Sequence, residues 1–281
     1  MIISASRRTD IPAYYTEWFI NRLQAGYVLT RNPFNPAQIR RVELATESVD
    51  CFVFWTKDPA PMLVALDMLD ALGYSYYFQF TLMPYGRDIE PNLRPKEDIV
   101  QTFVTLGKRL GRERLFWRYD PILLNDVILI DYHVRHFADM CEKISAYTNS
   151  VTISFVDMYR TIKTPLIREI TANEIARISE AFAEIAGRYG LPIQACCEHT
   201  DLSPYGIRPA SCIDRSTVEN LCGRTIKPDK NQRLRCRCVS SVDIGAYNTC
   251  KNGCVYCYAN FSAAAVAANR KRHDPAGEIF L

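Results

Sequence analysis

Three cysteines near the end of the chain, Cys250, Cys254 and Cys257, have the spacing of a metal-cluster loop. Cysteine thiolates hold iron–sulfur clusters, and a loop that supplies three of them to a cubane cluster leaves the fourth iron open to a small molecule. An aromatic residue, Tyr256, precedes the last cysteine, and Gly-Ala-Tyr-Asn leads into the loop at 245–248. The spacing therefore predicts a [4Fe-4S] cluster with one open iron.

Two other fates remain open to these cysteines. Paired thiolates two to four residues apart also bind structural zinc, and isolated cysteines are commonly buried as small apolar residues. Zinc sites usually combine two such pairs, whereas this loop is a triplet that contains an aromatic residue. We therefore expect an iron–sulfur cluster, with zinc as the alternative.

The cysteines outside the triplet fall into two groups. Cys51 and Cys141 stand in apolar runs, where packing explains them. The other six lie between 196 and 238 and outnumber the four thiolates of a closed cluster or a structural zinc. Cys222 could have only a packing role, and Cys196 could replace Cys197 in such a site. The second site that we predict consists of Cys197, Cys212, Cys236 and Cys238.

The first two thirds of the chain alternate between short apolar runs and stretches with helical periodicity. Apolar strands that alternate with helices indicate a parallel sheet covered by helices. Six such repeats predict an α/β fold, a partial six-stranded parallel (β/α) barrel. The predicted strands are 2–5, 51–55, 74–80, 115–119, 151–155 and 192–196, and the predicted helices are 14–23, 62–72, 96–110, 132–146 and 172–189.

Polar and charged side chains follow each of these strands. Active sites of (β/α) barrels are built at the carboxyl ends of the strands, so these residues predict a cradle for substrate and cofactor. Two prolines in the turn after the second strand hold Lys57 near the barrel mouth. Arg118, Asp120 and Glu198 stand at other strand ends.

We expect residues 1–197 to form the barrel and residues 198–281 to form a cysteine-rich segment that packs over its mouth. This segment has few contiguous apolar residues and ends in an alanine-rich helix at 260–270. It does not contain a core of its own. Metal binding would therefore contribute to its folding free energy.

Composition limits the class of protein. At 281 residues and 48% apolar content, the chain is the size of one α/β barrel. An odd number of cysteines without a secretory signal suggests a reducing cytosol, so we expect a cytoplasmic protein. No apolar run reaches the roughly 20 residues of a membrane span. The net charge of +3 does not favour a particular partner.

The triplet loop resembles the cluster loop of radical S-adenosylmethionine (SAM) enzymes. In that family the loop follows the first barrel strand, whereas here it lies near the C-terminal end. A C-terminal segment that folds back over the barrel mouth would bring the loop to the usual place.

The whole chain is similar to a bacterial family of unknown function that has a C-terminal cysteine cluster like that of radical SAM enzymes. The barrel runs are also distantly similar to relatives of spore photoproduct lyase, in which a Thr-Lys pair ends one strand. The matching motifs are Ile-Ser-Ala-Ser-Arg-Arg-Thr-Asp-Ile-Pro at 3–12, Phe-Trp-Thr-Lys-Asp-Pro at 54–59, Trp-Arg-Tyr-Asp-Pro at 117–121, Asp-Lys-Asn-Gln-Arg at 229–233, and the triplet followed by Tyr-Ala-Asn at 258–260.

The resemblance implies an iron–sulfur enzyme of unknown substrate. SAM would chelate the open iron, and one electron from a donor such as flavodoxin or ferredoxin would cleave it to a 5′-deoxyadenosyl radical. Lys57 and Arg118 would bind SAM, and Tyr256 would pack against its adenine. The residues that the resemblance assigns to catalysis at the strand ends are Lys57, Arg118, Asp120 and Glu198.

The alternative belongs to another class. An iron–sulfur or zinc protein could recognise nucleic acid or a partner, without turnover, through Arg7, Arg8 and the segment 233–238. Slow cleavage of SAM without substrate would distinguish the enzyme from this binding protein.

Overall fold

The chain folds around one large parallel sheet. The computed structural model describes residues 1–158, 164–227, 229 and 236–281. In these ranges eight strands form the large sheet and two form a separate antiparallel hairpin. The strands are β1 (Ile2–Ala5), β2 (Tyr27–Arg31), β3 (Ile39–Glu43), β4 (Cys51–Thr56), β5 (Tyr76–Thr81), β6 (Leu115–Ile122), β7 (Val151–Phe155), β8 (Ile193–Ala195), β9 (Arg208–Pro209) and β10 (Val242–Asp243).

The long helices are amphipathic and pack on the sheet. Ile99, Phe103 and Leu106 are buried at helical spacing in the fourth helix, which places one apolar stripe against the core. Thr171 and Glu174 form a capping box that starts the sixth helix. The helices are α1 (Ile11–Tyr14), α2 (Thr16–Ala25), α3 (Leu66–Ala71), α4 (Lys96–Leu110), α5 (Ile130–Ile144), α6 (Ala172–Arg188), α7 (Arg215–Cys222) and α8 (Ala263–Arg272).

The strand order of the large sheet is β10-β1-β4-β5-β6-β7-β8-β9, and every neighbouring pair is parallel. The prediction of a parallel α/β sheet is confirmed, and all six predicted strands are present in chain order. The edge strands β9 and β10 were not predicted, because two residues leave no periodicity to recognise. Within the described residues these edges do not pair, so the sheet is open and not a closed barrel.

The N-terminal third differs from the prediction in two respects. The hairpin β2–β3 was missed because its buried residues, Val28 and Val42, are surrounded by exposed charged residues such as Arg40 and Arg41. The predicted helices 14–23 and 62–72 are each divided in two: α1 precedes α2, and a 3₁₀ turn at Ala60–Ala65 precedes α3.

The two faces of the large sheet carry different layers. Phe52 and Phe54 on β4 point into the main core beneath the helices. Cys51 and Val53 on the same strand point the other way, into a second cluster that contains Cys212, Ile213, Val218, Cys238 and Val239 of the C-terminal segment. This alternation follows from the two-residue period of a strand. The C-terminal segment therefore fills the face of the sheet that the helices leave open.

Different parts of the C-terminal segment contact the amino ends and the carboxyl ends of the strands. Near the amino ends of the strands, Ser75 Oγ donates to the Leu221 carbonyl at 2.9 Å, and Arg224 pairs with Asp50 at 2.9 Å. The sequence prediction placed the whole segment over the carboxyl ends. Its first residue, Glu198, lies at those ends, and its later part reaches them because β10 pairs with β1 and directs the chain toward that end of the sheet.

Asp243 on β10 stabilises the pairing of β10 with β1 through three hydrogen bonds. Its carboxylate accepts from Ser4 Oγ at 2.9 Å, from Ser6 Oγ at 2.6 Å and from the Arg7 backbone N–H at 2.8 Å. The residues after β10 consequently begin beside the carboxyl end of β1. In the ranges that the structure describes, no helix is both long and apolar enough to span a membrane.

Candidate functional site

The triplet loop, residues 250–257, docks between α1 and the segment that follows β5. Tyr14 Oη donates to Asn252 Oδ1 at 2.5 Å. On the other side, Asn92 Nδ2 donates to the Lys251 carbonyl at 2.8 Å, and Val255 N–H donates to a backbone carbonyl of the same segment at 3.1 Å. The loop thus lies at the carboxyl ends of the strands, although it comes from the end of the chain.

Gly253 allows the loop to turn at this place. Its φ is +70°, a conformation that L side chains rarely adopt. A Cβ added there would lie 2.9 Å from Asn92 Nδ2 and 3.2 Å from Pro91 Cγ. Both the backbone angle and the close approach therefore require glycine between the first two cysteines of the triplet.

The three thiols of the triplet lie near one another. Burial raises the pKa of Cys254 to about 12, and burial also raises the pKa values of Cys250 and Cys257. Cys254 and Cys257 further raise the pKa of Cys250, which shows that their charges would interact. The three sulfurs nevertheless make no direct Sγ–Sγ contact within the described structure. A cluster or a cation is the kind of group that would offset this mutual repulsion.

The donor set distinguishes between kinds of metal group. Within the described ranges, no three His, Cys, Asp or Glu side chains are placed to bind one metal ion. Zinc needs its ligands to converge on one point at about 2.0–2.3 Å. In a four-iron cluster each thiolate binds a different iron, so the sulfurs remain apart. Cys250 is buried, and Cys254 and Cys257 are partly buried.

A buried carboxylate joins the triplet to the strand ends. Glu90 accepts from Lys57 Nζ at 2.7 Å, and it also pairs with Lys96 and with the Tyr256 hydroxyl. Burial alone would raise the pKa of Glu90, but the two lysines outweigh it and lower the pKa. Glu90 in turn raises the pKa of Lys57 against the effect of burial. Lys57 also lowers the pKa of Cys254 and so favours the thiolate that a metal needs.

Asp10 connects three parts of the site. Its carboxylate accepts from the Lys57 backbone N–H at 2.8 Å, from Ala13 N–H at 3.1 Å and from Asn252 Nδ2 at 3.2 Å. Burial raises the pKa of Asp10 to about 6, and these hydrogen bonds oppose the rise. One side chain therefore holds the end of β4, the start of α1 and the triplet loop together.

Tyr256 has a packing position in this network. Its side chain is buried, its ring lies 6.0 Å from that of Tyr85, and Lys57 Nζ lies 5.3 Å above its ring. The adenine contact proposed for Tyr256 stays a prediction. Its hydroxyl already has Glu90 as a partner.

A second group of predicted residues surrounds Arg118 on β6. Arg118 Nε donates to Asp120 Oδ2 at 3.0 Å, and Nη1 donates to Cys212 Sγ at 3.0 Å. Its guanidinium also lies 5.4 Å from the ring of Trp55 on β4. Arg118 is buried, and Asp120 balances its charge. The guanidinium can also stabilise a thiolate at Cys212.

Several cysteines of the predicted second site meet here. Cys196 Sγ lies 2.7 Å from Cys212 Sγ, and Cys238 Sγ accepts from Ile213 N–H at 3.3 Å. Cys212 and Cys238 also interact through their side chains. The sulfur that lies against Cys212 in this contact is that of Cys196, which the sequence analysis named as the replacement for Cys197. Cys197 interacts with Cys196, and Cys236 interacts with Cys238.

Of the remaining cysteines, Cys141 is buried in the main core, whereas Cys51 and Cys222 pack in the same apolar cluster as Cys212 and Cys238. Cys51 and Cys141 are completely buried, and burial raises the pKa of Cys141 to about 12. Cys222 is partly exposed at the end of α7, where its thiol lies 3.7 Å from the Arg224 carbonyl.

Glu198 lies beside the second cysteine group. Its Oε1 accepts from Phe155 N–H at 3.0 Å at the carboxyl end of β7. Burial and, to a smaller extent, the nearby carboxylates of Asp120 and Asp157 raise its pKa to about 8. Glu198 lines a cavity of about 310 Å³ together with Cys197, His199, Asp201 and Arg237.

The basic residues of the alternative function lie partly in this region. Arg7 lies 5.6 Å from the Trp55 ring and donates to Ser241 Oγ at 3.2 Å. Arg8 lies 5.4 Å from the ring of Tyr247. Of the predicted segment 233–238, residues 233–235 lie outside the described residues.

Sequence reasoning missed Glu90, Lys96 and Asn252. Glu90 lies in a loop between β5 and α4, where no periodicity identifies a buried carboxylate. Asn252 lies inside the triplet loop and could have been considered as its anchor. Asp10 belongs to the sequence motif at 3–12, but its role of holding the loop was not predicted.

The fold and the site define a parallel α/β protein with buried ionic and thiol groups at the carboxyl ends of its strands. The chain belongs to the family described as Domain of unknown function (DUF1848), whose sequence model matches residues 2–259. No curated protein matches it.

One similar solved structure is that of a proposed alpha-L-fucosidase from Bacteroides thetaiotaomicron. It shares 11% sequence identity, covers 64% of this chain and 73% of its own, and has a TM-score of 0.28. A likeness this slight does not bear on the activity of the chain.

Proposed function

We propose that this protein is a radical-SAM-like iron–sulfur enzyme, which generates a 5′-deoxyadenosyl radical from SAM to act on a substrate of unknown identity. The observation that carries the proposal is the position of the triplet loop. Although it lies near the C-terminal end of the sequence, it lies against residues that follow β1 and β4. A loop that follows the first strand would occupy this region. The position of the triplet loop, as well as its spacing, therefore supports the resemblance to the cluster loop of radical SAM enzymes.

The order of the sheet is consistent with this proposal. Strands β1, β4, β5, β6, β7 and β8 are parallel neighbours in chain order, as in an open (β/α) barrel. Side chains at their carboxyl ends face one region. A partial barrel with its site at this end is therefore the finer fold that we propose.

The residues of the chain would share the work as follows. Cys250, Cys254 and Cys257 would hold a [4Fe-4S] cluster, which supplies one-electron chemistry and an open iron for SAM when bound. Lys57, fixed by Glu90, places a cation beside Cys254 and the ligand-binding region.

The group around Arg118 would bind and orient the reactants. Arg118 and Asp120 present opposite charges from one buried strand, and these would suit a zwitterionic ligand such as the amino acid part of SAM. Glu198, which is buried beside a cavity, would hold or move a proton of the substrate.

We further propose that the second cysteine group holds a second iron–sulfur cluster. Cys212 and Cys238 would be ligands together with Cys236 and either Cys196 or Cys197. The contact between Cys196 and Cys212 favours Cys196 in place of the Cys197 of the sequence prediction.

The decisive experiment is an assay of SAM cleavage. Protein reconstituted with iron and sulfide without oxygen, and reduced with dithionite, should convert SAM to methionine and 5′-deoxyadenosine. A variant with Cys250→Ala, Cys254→Ala and Cys257→Ala should lose this activity, whereas Cys222→Ala, which changes a cysteine outside both groups, should keep it.

Two results would overturn the proposal. One is equal release of 5′-deoxyadenosine by the reconstituted protein and the triple variant. The other is stoichiometric zinc, with no uptake of iron, in protein purified without oxygen. Either result would favour the alternative, a metal-binding protein that recognises nucleic acid or a partner without turnover.

A further inference from the structure

A cavity of the described structure adjoins the outer side of the triplet loop. It has a volume of about 490 Å³ and lies between α2, the loop and α8. We refer to it as the basic pocket because cations and aromatic rings dominate its lining. The residues that matter here are Tyr14, Tyr15, Lys251, Arg270, Lys271 and His273.

The positive charges of this pocket have no carboxylate partners within the described residues. Arg270 and Lys271 are exposed in the last turn of α8, and no ion pair involves them or Lys251. Lys251 lies over the rings of Tyr14 and Tyr15, at 5.1 and 5.7 Å. Burial lowers its pKa, and the charge of Arg270 lowers it further.

Placing these like charges close together costs folding free energy. We therefore infer that the cluster of cations has a function. The negative end of the α8 dipole offsets part of the repulsion, since cations are stabilised at a helix C-terminus. Glu17 also lines the pocket, but it pairs with none of the cations there. The surface therefore remains positive and is suited to an acidic partner.

The pocket is rigidly connected to the triplet loop. Tyr15 Oη donates to the carbonyl of Thr249, the residue before Cys250, at 2.6 Å. The Tyr15 ring packs on that of His273 with centroids 4.7 Å apart. A partner seated on this surface would be separated from the triplet by little more than one aromatic layer.

The two sides of the triplet differ in what they offer. Lys57 and Glu90 adjoin Cys254 on the side of the strand ends, where SAM and substrate would bind. The basic pocket adjoins Cys250 instead. Electrons can therefore enter on one side while the reaction takes place on the other.

We propose that the basic pocket is the docking surface for an acidic one-electron carrier protein, which reduces the cluster of the triplet. This inference rests on the proposed function. One electron passes from the reduced carrier to the cluster, so the carrier is oxidised and the cluster reduced by one electron each, and no bond is formed or broken. Flavodoxin is the carrier of this class that we choose as the probe.

The test compares two reductants on the same reconstituted enzyme. We expect the variant with Arg270→Glu and Lys271→Glu to raise the KM for reduced flavodoxin by at least about tenfold, because electrostatic steering changes association rates by factors of about 10 to 10³. Dithionite needs no docking surface, so cleavage of SAM with dithionite should remain within about twofold of the wild-type rate. The iron content of the variant is measured first to show that the loop is intact.

A matched control reverses the same number of charges elsewhere. Arg40 on β3 and Arg112 after α4 are both exposed. The variant with Arg40→Glu and Arg112→Glu should keep the wild-type KM for flavodoxin. Added salt should raise the KM of the wild type and of this control more than that of the pocket variant, because the pocket variant has already lost the screened interaction.

The outcomes separate this inference from the proposed function. No dithionite-driven cleavage in the wild type would reject the proposed function itself. Normal dithionite-driven cleavage, with the same flavodoxin KM in the pocket variant and in the control, would reject the docking surface alone. A KM that rises equally in both charge-reversed variants would also reject it, because the effect would then depend only on net charge.

Discussion

Lys57 Nζ lies 2.7 Å from Glu90 Oε1, and this contact joins the end of β4 to the segment that precedes α4. Glu90 has no exposed side-chain surface, and it also contacts Lys96 and Tyr256 of the triplet loop. A single carboxylate thus neutralises two cations and holds the loop that carries the cysteines. The position of the triplet depends on a residue far from it in sequence.

Replacing this carboxylate should destabilise the protein strongly. In Glu90→Gln, two lysines would face each other without a counterion, and breaking a buried pair in this way costs about 3–5 kcal/mol of unfolding free energy. Urea unfolding of the reconstituted protein measures the loss. The control is Glu43→Gln, which removes a carboxylate from the exposed pair with Arg41 and should cost far less. Similar small losses in both variants would show that the Glu90 network is not structural.

Gly253 offers a test of how tightly the loop is held. Gly253→Ala should destabilise the protein through its positive φ and through the contact with Asn92, and it should also lower the amount of iron bound. Gly223 has a φ of +66° but no atom within 4 Å of its added Cβ, so Gly223→Ala has the backbone strain alone. Iron content measured for both variants separates the two effects. Equal iron in the two would contradict the close packing of the loop.

The carboxyl group of Asp10 should make stability depend on pH. Burial raises its pKa from 3.8 to about 6, so between these values the folded protein binds more protons than the unfolded chain. Its contribution to stability is therefore present below about pH 4 and is lost as the pH rises to about 6, to the extent of about 3 kcal/mol at most.

The measurement compares wild type with Asp10→Asn, which does not titrate. The unfolding free energy of the wild type minus that of the variant should fall as the pH rises from 4 to 7. Loss of the hydrogen bonds to Asp10 shifts this difference by a constant amount and does not change its slope. A difference that is flat over this range would mean that Asp10 has an ordinary pKa.

The sequence was sufficient for the sheet because its strands are buried on both faces. Such strands are almost uniformly apolar, and this made runs such as 51–55 and 151–155 easy to recognise. The same uniformity hid which face each residue occupies. Cys196 and Cys197 are adjacent cysteines after β8, and nothing in the sequence identifies which of them meets Cys212.

Contacts between residues far apart in the chain could not be predicted from the sequence either. The spacing of the three cysteines predicted their chemistry. The docking of their loop, however, depends on contacts with Asp10 and Glu90. Tyr256 and Glu90, for example, are more than 160 residues apart in the sequence. Short elements such as β10 place the loop through two residue pairs with β1. A strand of two residues is too short to show a periodic pattern, so β10 could not be predicted from the sequence.

The second cysteine group provides the last prediction. If it holds a cluster, the variant that lacks Cys250, Cys254 and Cys257 should still bind about four irons after reconstitution, as a second cubane requires. Adding Cys212→Ala should remove them, because Cys212 is the cysteine that contacts Cys196, Cys238 and the guanidinium of Arg118. Adding Cys222→Ala should not. Iron and zinc are measured together by plasma emission. Retention of zinc alone would show a zinc site in place of a second cluster, and retention of no metal would show a packed thiol group.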